Sequence, residues 1–488
     1  MITNKETNWK LYLWRAFLVL SIPLAIIPMV LCALGNTMDA DPSYFLSIME
    51  RISEGRVLYK DVHCGYPPVW FYLTAAVKWL FHIPSGCEEP YYIFHFLMQI
   101  FSAFILYKMI RCLEIDYRIA YFCSWLFVMM GHWMQANYLI LEPLTVAFGL
   151  LSLWIVMEYG KGRLWLLFVA GAVASCSFLC KQYGLGYLFL CLFILLFYCK
   201  TDGKRVAMFL LGFIVPVVIC LAIWGNAFVN NVFLNGYGSS VDEANGLILH
   251  DKVLWIWSAA KKLFVRCAIA LPVTLLFIPL LFKEKKGIPV LFCWCGVLGF
   301  LMTFYLNAGY PRYLLFSLPL VMMLLAMTIS LLPKSKIWLR VVFITSLAIT
   351  VTYSIYADYY NRVWKIYLHR ELKETKEELA QEISKRIPEG ASLWIPNSGL
   401  CWAYYLTNAT PPNLNTMSYA FGAGMTVDNA VEQAKAADYV LSFDWEVADP
   451  YFTKELKDFV YSHEAVFVST ETHLGSIVLH DMSKMKKE

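Results

Sequence analysis

The chain is built from apolar stretches long enough to cross a bilayer, and their succession constrains the fold more than any other feature. A crossing takes about 20 mostly apolar residues. About eleven stretches qualify by that measure: 16–35, 91–110, 119–136, 138–157, 164–181, 185–199, 206–225, 265–282, 288–307, 313–332 and 337–357. The first has no small-residue cleavage site and is read as a retained span rather than a signal peptide. Composition agrees. Of 488 residues, 59% are hydrophobic and only 16% charged, against roughly 25% charged in soluble domains. An ordinary soluble enzyme and a disordered or fibrous chain are thereby excluded. The net charge of +4 carries no Lys/Arg block, so no nucleic-acid footprint is expected. Most of the 14 cysteines sit within apolar runs, where they act as small hydrophobes, and no spacing suggests zinc.

Lys and Arg in the short loops set the expected orientation. Alternate loops hold Lys5, Lys10 and Arg15; Arg111 and Arg118; Lys161 and Arg163; Lys200, Lys204 and Arg205; Lys283, Lys285 and Lys286; and Lys334, Lys336 and Arg340. These are read as cytoplasmic, which puts the N-terminus inside and the C-terminus outside.

Three segments on the other side exceed simple connections. Residues 36–90 hold two aromatic-rich stretches, 43–57 and 67–82, expected to lie as interfacial helices. Residues 226–264 contain Asn235-Gly236-Tyr237-Gly238-Ser239-Ser240, a candidate lid. Composition shifts sharply in the tail. A charged helix is expected over 371–386, then short strands at 392–396, 438–443 and 465–469 among helical stretches. The expectation is an α-helical polytopic membrane protein with a small α/β domain outside: residues 1–357 as the transmembrane part and 358–488 as the extracytoplasmic domain.

Candidate chemistry gathers on the outer side. Asp39 and Asp41 flank Ala40 directly after the first span. Such carboxylates either bind a hard divalent cation or take a proton from an attacking group. Asp41 before Pro42 is also a helix-start signature. Glu142 opens the fourth span, Lys181-Gln182 closes the fifth, and Tyr310-Pro311-Arg312-Tyr313 opens the tenth. Each ionisable group at that depth is a functional candidate, although Lys181 and Arg312 also suit snorkelling to the head groups. Basic groups beside acids describe a site for a phosphate-bearing lipid, with Arg gripping the phosphate bidentately. Trp70, Phe71 and Tyr72 are read as interface anchors or as lining for a lipid groove. Cys64 and Cys87 share the first outer loop, where a disulfide is permitted.

The order of these pieces resembles the polytopic GT-C glycosyltransferases, in particular the protein mannosyltransferase and aminoarabinose lipid A transferase types. Asp39-Ala40-Asp41, Tyr44, Gly55, Leu58-Tyr59, Asp61, Pro67-Pro68, Glu142, Lys181-Gln182 and Arg312-Tyr313 carry the resemblance. It implies an enzyme that moves a sugar from a polyprenyl-phosphate donor to a protein, lipid or glycan acceptor. Transfer would take place on the outer face of a cell (inner) membrane, by inverting displacement. Asp39 or Asp41 would be the base. Lys181, Arg312, Lys60, Tyr66 and His63 are candidates for the donor phosphate, and Asp61, Gln182, Tyr310 and Tyr313 for substrate. Where the aminoarabinose branch usually has a Lys before the Pro-Pro pair, this chain has Gly65-Tyr66. Glu142, with Asp39 or Asp41, is the candidate holder of a Mg or Mn ion. The rival readings are a lipid-linked glycan polymerase or ligase, and a flippase, for which paired helical repeats are expected.

Overall fold

The structure, a computed structural model, describes residues 3–34, 40–62, 64–136, 138–234, 253–254, 256–258, 260–261, 270–302, 311–356, 359, 364, 370–396, 398–407, 409–412, 427–443, 454–469 and 476–485. Within them, each apolar stretch coincides with a helix, the eighth from Ala270 onward. Helix α1 (Thr3–Leu34) leads to two short helices, α2 (Ala40–Ser53) and α3 (Val69–Phe81), where the sequence predicts interfacial ones. Then come α4 (Glu89–Cys112), α5 (Tyr117–Trp133), α6 (Glu142–Tyr159), α7 (Leu164–Cys180), α8 (Leu185–Phe193) and α9 (Gly203–Trp224). After an apolar helical segment over Leu271–Lys283 follow α10 (Gly287–Leu301), α11 (Leu318–Leu331) and α12 (Ile337–Tyr356). By length and composition, Leu11–Leu34 of α1, α4, α6, α9 and α12 are each able to cross a membrane, and the shorter apolar helices lie between them. This is the expected helical, multi-pass architecture.

Local chemistry sets the ends. Asp116 caps α5 by accepting from the Arg118 amide, and Asp202 caps α9 by accepting from the Arg205 amide, each satisfying a donor the helix leaves orphaned. Pro90, Pro143 and Pro319 open α4, α6 and α11, where a missing N–H costs nothing. Burial then sorts the helices. Twelve residues of α11 are buried, on every side of it, so it forms the bundle core. Only about a fifth of α9 and α12 is buried, and these pack at the periphery. Glycines let α7 and α9 cross backbone to backbone. A Cβ on Gly171 would fall 1.9 Å from the Phe209 carbonyl oxygen, and one on Gly212 would fall 2.0 Å from that of Phe168. Such small-residue contact is how helices associate when lipid is as apolar as they are.

The tail begins with α13 (Arg370–Ser384), close to the expected charged helix, and continues through α14 (Trp402–Thr407), α15 (Val427–Ala436) and α16 (Lys454–Tyr461). Its strands β1 (Leu393–Trp394), β2 (Tyr439–Phe443) and β3 (His463–Ser469) fall where the sequence places them. A fourth, β4 (Ile477–Met485), was not anticipated. Only its first three residues are an apolar run; the rest, His-Asp-Met-Ser-Lys-Met, reads as polar surface. Yet β4 is an interior strand in the order β1-β2-β4-β3, antiparallel to both neighbours, while β1 and β2 run parallel.

The tail is fastened to α2 and to the start of α4. The Arg51 guanidinium donates to the Ala409 carbonyl and pairs with Glu54 at 3.1 Å. Lys373 reaches Glu88 at 3.3 Å and Glu89 at 2.6 Å. Beside these, buried Glu50 pairs with Lys78, which also donates to Ser85 Oγ at 3.0 Å. The Lys373 ammonium is held above its ordinary range. Burial works against its charge, but Glu88 and Glu89 outweigh burial. Trp70 and Phe71 are fully buried core residues, with Trp70 Nε1 hydrogen-bonded to His95 Nε2 at 3.2 Å. They therefore line no open groove, a correction to the sequence reading; Tyr72 is partly exposed and packs on Trp224. Cys64 and Cys87 are both free thiols. Burial pushes the Cys64 thiol up to about 12.

Candidate active site

Four charged side chains from four elements meet at the end of the bundle where α2 lies. Helix α2 begins at Ala40, so Asp41 and Pro42 stand in its first turn, not ahead of it. The Asp41 side chain is ion-paired with Arg312, from the 3₁₀ segment Pro311–Phe316 that leads into α11. The same guanidinium places Nε 3.5 Å from Glu142 Oε1, the atom to which Lys181 Nζ donates at 2.6 Å. Glu142 therefore bridges the two cations and Arg312 bridges the two acids. Glu142 and Lys181 are only 1% and 4% exposed. Two positive and two negative groups make the set neutral, the condition for burying charge at tolerable cost.

Helices α6 and α7 hold this arrangement from below. Ser177 Oγ donates to the Thr145 carbonyl at 2.7 Å, joining the first turn of α6 to the last turn of α7. Lys181 caps α7 in an extended conformation, and the chain then turns through Gln182–Gly184. A Cβ on Gly184 would meet the Ser177 carbonyl 2.3 Å away, so only glycine lets the turn fold back tightly enough. The Lys181 ammonium lies among three rings: 4.8 Å from the centroid of Tyr313, and 5.7 Å from those of Tyr66 and Tyr183. Cation–π contacts in a desolvated cage are worth up to about 2 kcal/mol. Arg312 lies over Tyr313 at 5.8 Å. Burial alone would lower its guanidinium, but Asp41, Tyr313 and Glu142 outweigh burial and hold it well above its ordinary range. Burial pushes the Tyr66 phenol well up, with Tyr313 and Asp41 adding to the rise and Arg312 opposing it.

The structure thus brings together Asp41, Tyr66, Glu142, Lys181, Arg312 and Tyr313. Gln182 is at the edge in a bracing position: its Nε2 donates to the Gly65 and Val232 carbonyls at 3.2 and 3.1 Å, joining the first loop to the entry of the second. Lys60 and Asp61 stay apart. Both are exposed, and Asp61 Oδ2 accepts from the Val57 amide at 2.8 Å within its own loop. Asp39, His63, Tyr310 and the candidate lid at 235–240 lie outside the described residues. Tyr183 was missing from the sequence-derived site. Its only signal was adjacency to Lys181-Gln182, since a ring cage depends on three distant segments.

A cavity of about 480 Å³ opens beside Gln182 and Tyr183 between α8 and α10. Leu185, Phe189, Phe193, Phe300 and Met302 line it. It follows the Gln182–Gly184 turn and then all nine residues of α8 to Phe193, α8 alone spanning about 12 Å. Of the candidate cation ligands, Asp41 and Glu142 are already committed to cations, and Asp39 lies outside the described residues. Asp41 and Glu142 both face Arg312, Glu142 also holds Lys181, and a dication would have to displace those charges.

The fold resembles that of ArnT from Cupriavidus metallidurans. The crystal structure bound to undecaprenyl phosphate matches with a TM-score of 0.57 and 13% identity, over 97% of this chain and 99% of that one. The apo structure of the same protein matches at 0.56, with the same identity and coverage. The archaeal oligosaccharyltransferase AglB from Archaeoglobus fulgidus is similar at a TM-score of 0.49 and 11% identity, covering 87% of this chain and 69% of that one. The chain therefore has the membrane fold of these ArnT structures, in keeping with the sequence resemblance. No family model matches the chain. No curated protein matches it either.

Proposed function

We propose that the chain is an integral-membrane glycosyltransferase that moves a sugar from a polyprenyl-phosphate donor to an acceptor on the outer face of a cell membrane. The observation that carries this reading is the neutral Asp41–Arg312–Glu142–Lys181 network beside Tyr183, a residue that both cages Lys181 and lines a long apolar cavity. A donor of this class has the two matching parts, an anionic phosphate and a hydrocarbon tail. The tail would lie between α8 and α10 and the phosphate against Lys181 and Arg312.

Charge balance suggests an order of events. Arriving phosphate competes with Asp41 for the Arg312 guanidinium. Asp41, loosened from that pair, is then free to accept a proton from the acceptor hydroxyl or amine. The acceptor's lone pair attacks the anomeric carbon, and the bond from that carbon to the phosphate oxygen breaks with inversion. The leaving polyprenyl phosphate keeps the bond's electrons, with its added charge met by Lys181 and Arg312. Asp39, outside the described residues, is the other candidate base. Glu142 would keep Lys181 in place, and the four tail strands would stand over the site from the outer side. The likeness to a protein crystallised with undecaprenyl phosphate supports the donor class.

The test is sugar release by the purified full-length protein from a panel of radiolabelled polyprenyl-phosphate monosaccharides, with acceptor lipid and peptide extracts supplied. One donor should turn over, Asp41→Asn or Arg312→Ala should abolish the turnover, and a chelator should leave it unchanged. Binding of labelled donor without turnover in every acceptor mixture would favour the flippase or polymerase reading.

A further inference from the structure

Lys181 is a group the donor phosphate has to reach, and in the structure it is covered. Its side chain is only 4% exposed. The ammonium donates to Glu142 Oε1 at 2.6 Å. The ring centroids of Tyr313, Tyr66 and Tyr183 stand around it at 4.8, 5.7 and 5.7 Å. A charge-assisted hydrogen bond to phosphate brings an oxygen to about 2.7–2.9 Å from the nitrogen. With so little of the side chain open, an oxygen comes that close only when a ring stands aside.

The three rings are not equally placed to do so. Tyr313 is itself buried and is shared with Arg312, whose guanidinium lies 5.8 Å from its centroid. Moving it would strip both cations at once. Tyr66 stands on a pinned stretch of backbone. Its carbonyl accepts from the Tyr59 hydroxyl at 2.6 Å, and the Gly65 carbonyl before it accepts from Gln182 at 3.2 Å. Pro67-Pro68 follow, each with its φ fixed by the ring, and Phe45 meets the Tyr66 ring edge-on at 5.3 Å. Tyr183 is partly exposed, and its ring meets Tyr313 and Phe316 edge-on at 5.4 and 6.2 Å. Of the three it alone also lines the cavity of about 480 Å³ between α8 and α10. The turn that carries it is held by the close approach of Gly184 to Ser177, which leaves the ring to move about its own side-chain bonds.

We infer that Tyr183 is a gate between the apolar cavity and the Lys181 ammonium, closed in this structure and swung aside as the donor phosphate arrives. The gate rests on the donor reading above, with the lipid tail in that cavity and the phosphate at Lys181. While the ring is closed, its π-face stands in for the phosphate and keeps water from the cation. Opening forfeits a cation–π contact, so roughly one molecule in thirty stands open at a given moment, and capture of the donor is slowed by that fraction.

Two measurements on the full-length protein in detergent test this. One is the rate at which radiolabelled undecaprenyl phosphate binds, and the other is acetylation of Lys181 by acetic anhydride, read by mass spectrometry. Tyr183→Ala should speed association by about tenfold or more, toward a ceiling of roughly thirtyfold, and should make Lys181 more reactive in the absence of lipid. Tyr183→Phe keeps the ring and should match the wild type in both. Tyr313→Ala should weaken binding without speeding it. A residue that only shapes the cavity wall would give the opposite sign at position 183, with truncation leaving association unchanged or slower. Tyr183→Leu removes the ring but keeps bulk in the wall, and it answers the same question if the alanine variant does not fold. Unchanged or slower association in the ringless variants, with lipid still bound by the wild type, would overturn the gate and leave the donor reading standing. So would faster association in Tyr313→Ala alone. If no form binds the lipid and Lys181 reacts equally with and without it, the gate and the donor reading fall together.

Discussion

Two buried charge networks lie near opposite ends of α2, and they differ in how each cation is used. At the N-terminal end, Arg312 serves Asp41 and Glu142, Glu142 serves Arg312 and Lys181, and Tyr rings complete the enclosure. Every member has a competitor for its partner, and an apolar cavity opens alongside. At the C-terminal end, Arg51 is tied to a backbone carbonyl of the tail, Lys78 to Glu50 and Lys373 to the glutamates at the head of α4. Those contacts join one part of the chain to another. A network whose members can exchange partners suits a ligand that arrives with its own charge. A network whose contacts tie the tail to the bundle suits attachment.

This contrast can be broken by mutation, and the largest effect is expected at the exchangeable end. Lys181→Met should lower sugar transfer on the order of 10³-fold, as for loss of a group that meets developing charge. It should also lower thermal stability, because Glu142 keeps only the longer contact to Arg312. Adding Glu142→Gln should restore the melting temperature and leave transfer low. Recovery of transfer in the double variant would mean that Lys181 matters only as a buried counter-ion. Next is the attachment end. Lys373→Met leaves Glu88 buried without its ammonium and should cost about 3 kcal/mol, read as a lower melting temperature. Transfer per folded molecule should stay within about threefold, the scale of a change remote from the chemistry. A large loss of turnover with unchanged stability would erase the distinction between the two networks.

How much of this was legible in the sequence follows from the range of each contact. The spans, the two short helices of the first loop and three of the four strands were readable because periodicity and apolar length are local. Asp41, Glu142, Lys181 and Arg312 were also readable, each an ionisable group beside an apolar run. Their pairing was not, since Asp41 and Arg312 are 271 residues apart. Nor was the attachment of the tail, because Arg51 and Lys373 look like ordinary members of charged stretches. Strand β4 was hidden by its polar second half, and Tyr183 by the absence of any charge to mark it.

Smaller effects sharpen the comparison. Gly171→Ala forces a methyl onto the α9 backbone and should cost about 1–3 kcal/mol by thermal unfolding, with donor affinity retained. The tail attachment has a pH limit set by Lys373. A lysine held above its ordinary value contributes fully below about 10.5 and loses that contribution as pH climbs through the raised value. Limited proteolysis should therefore release the tail only above that pH, and not between pH 8 and 10. Least affected of all should be Lys60→Gln, with transfer within about twofold, as for an exposed loop charge. A large loss there would return Lys60 to the site from which the structure separates it.

The tie between Arg51 and Ala409 spans 358 residues of chain, and it sets a clock on biosynthesis. At about 5–20 residues per second, α2 emerges roughly 20–70 s before the carbonyl that holds its arginine exists. Throughout that interval Arg51 has its neighbour Glu54 within reach but not the tail carbonyl that also holds it. Ribosome pausing, or a nascent chain stalled short of residue 409, would prolong that state. Quality-control proteases at the membrane would then meet a bundle whose α2 still lacks its tie to the tail.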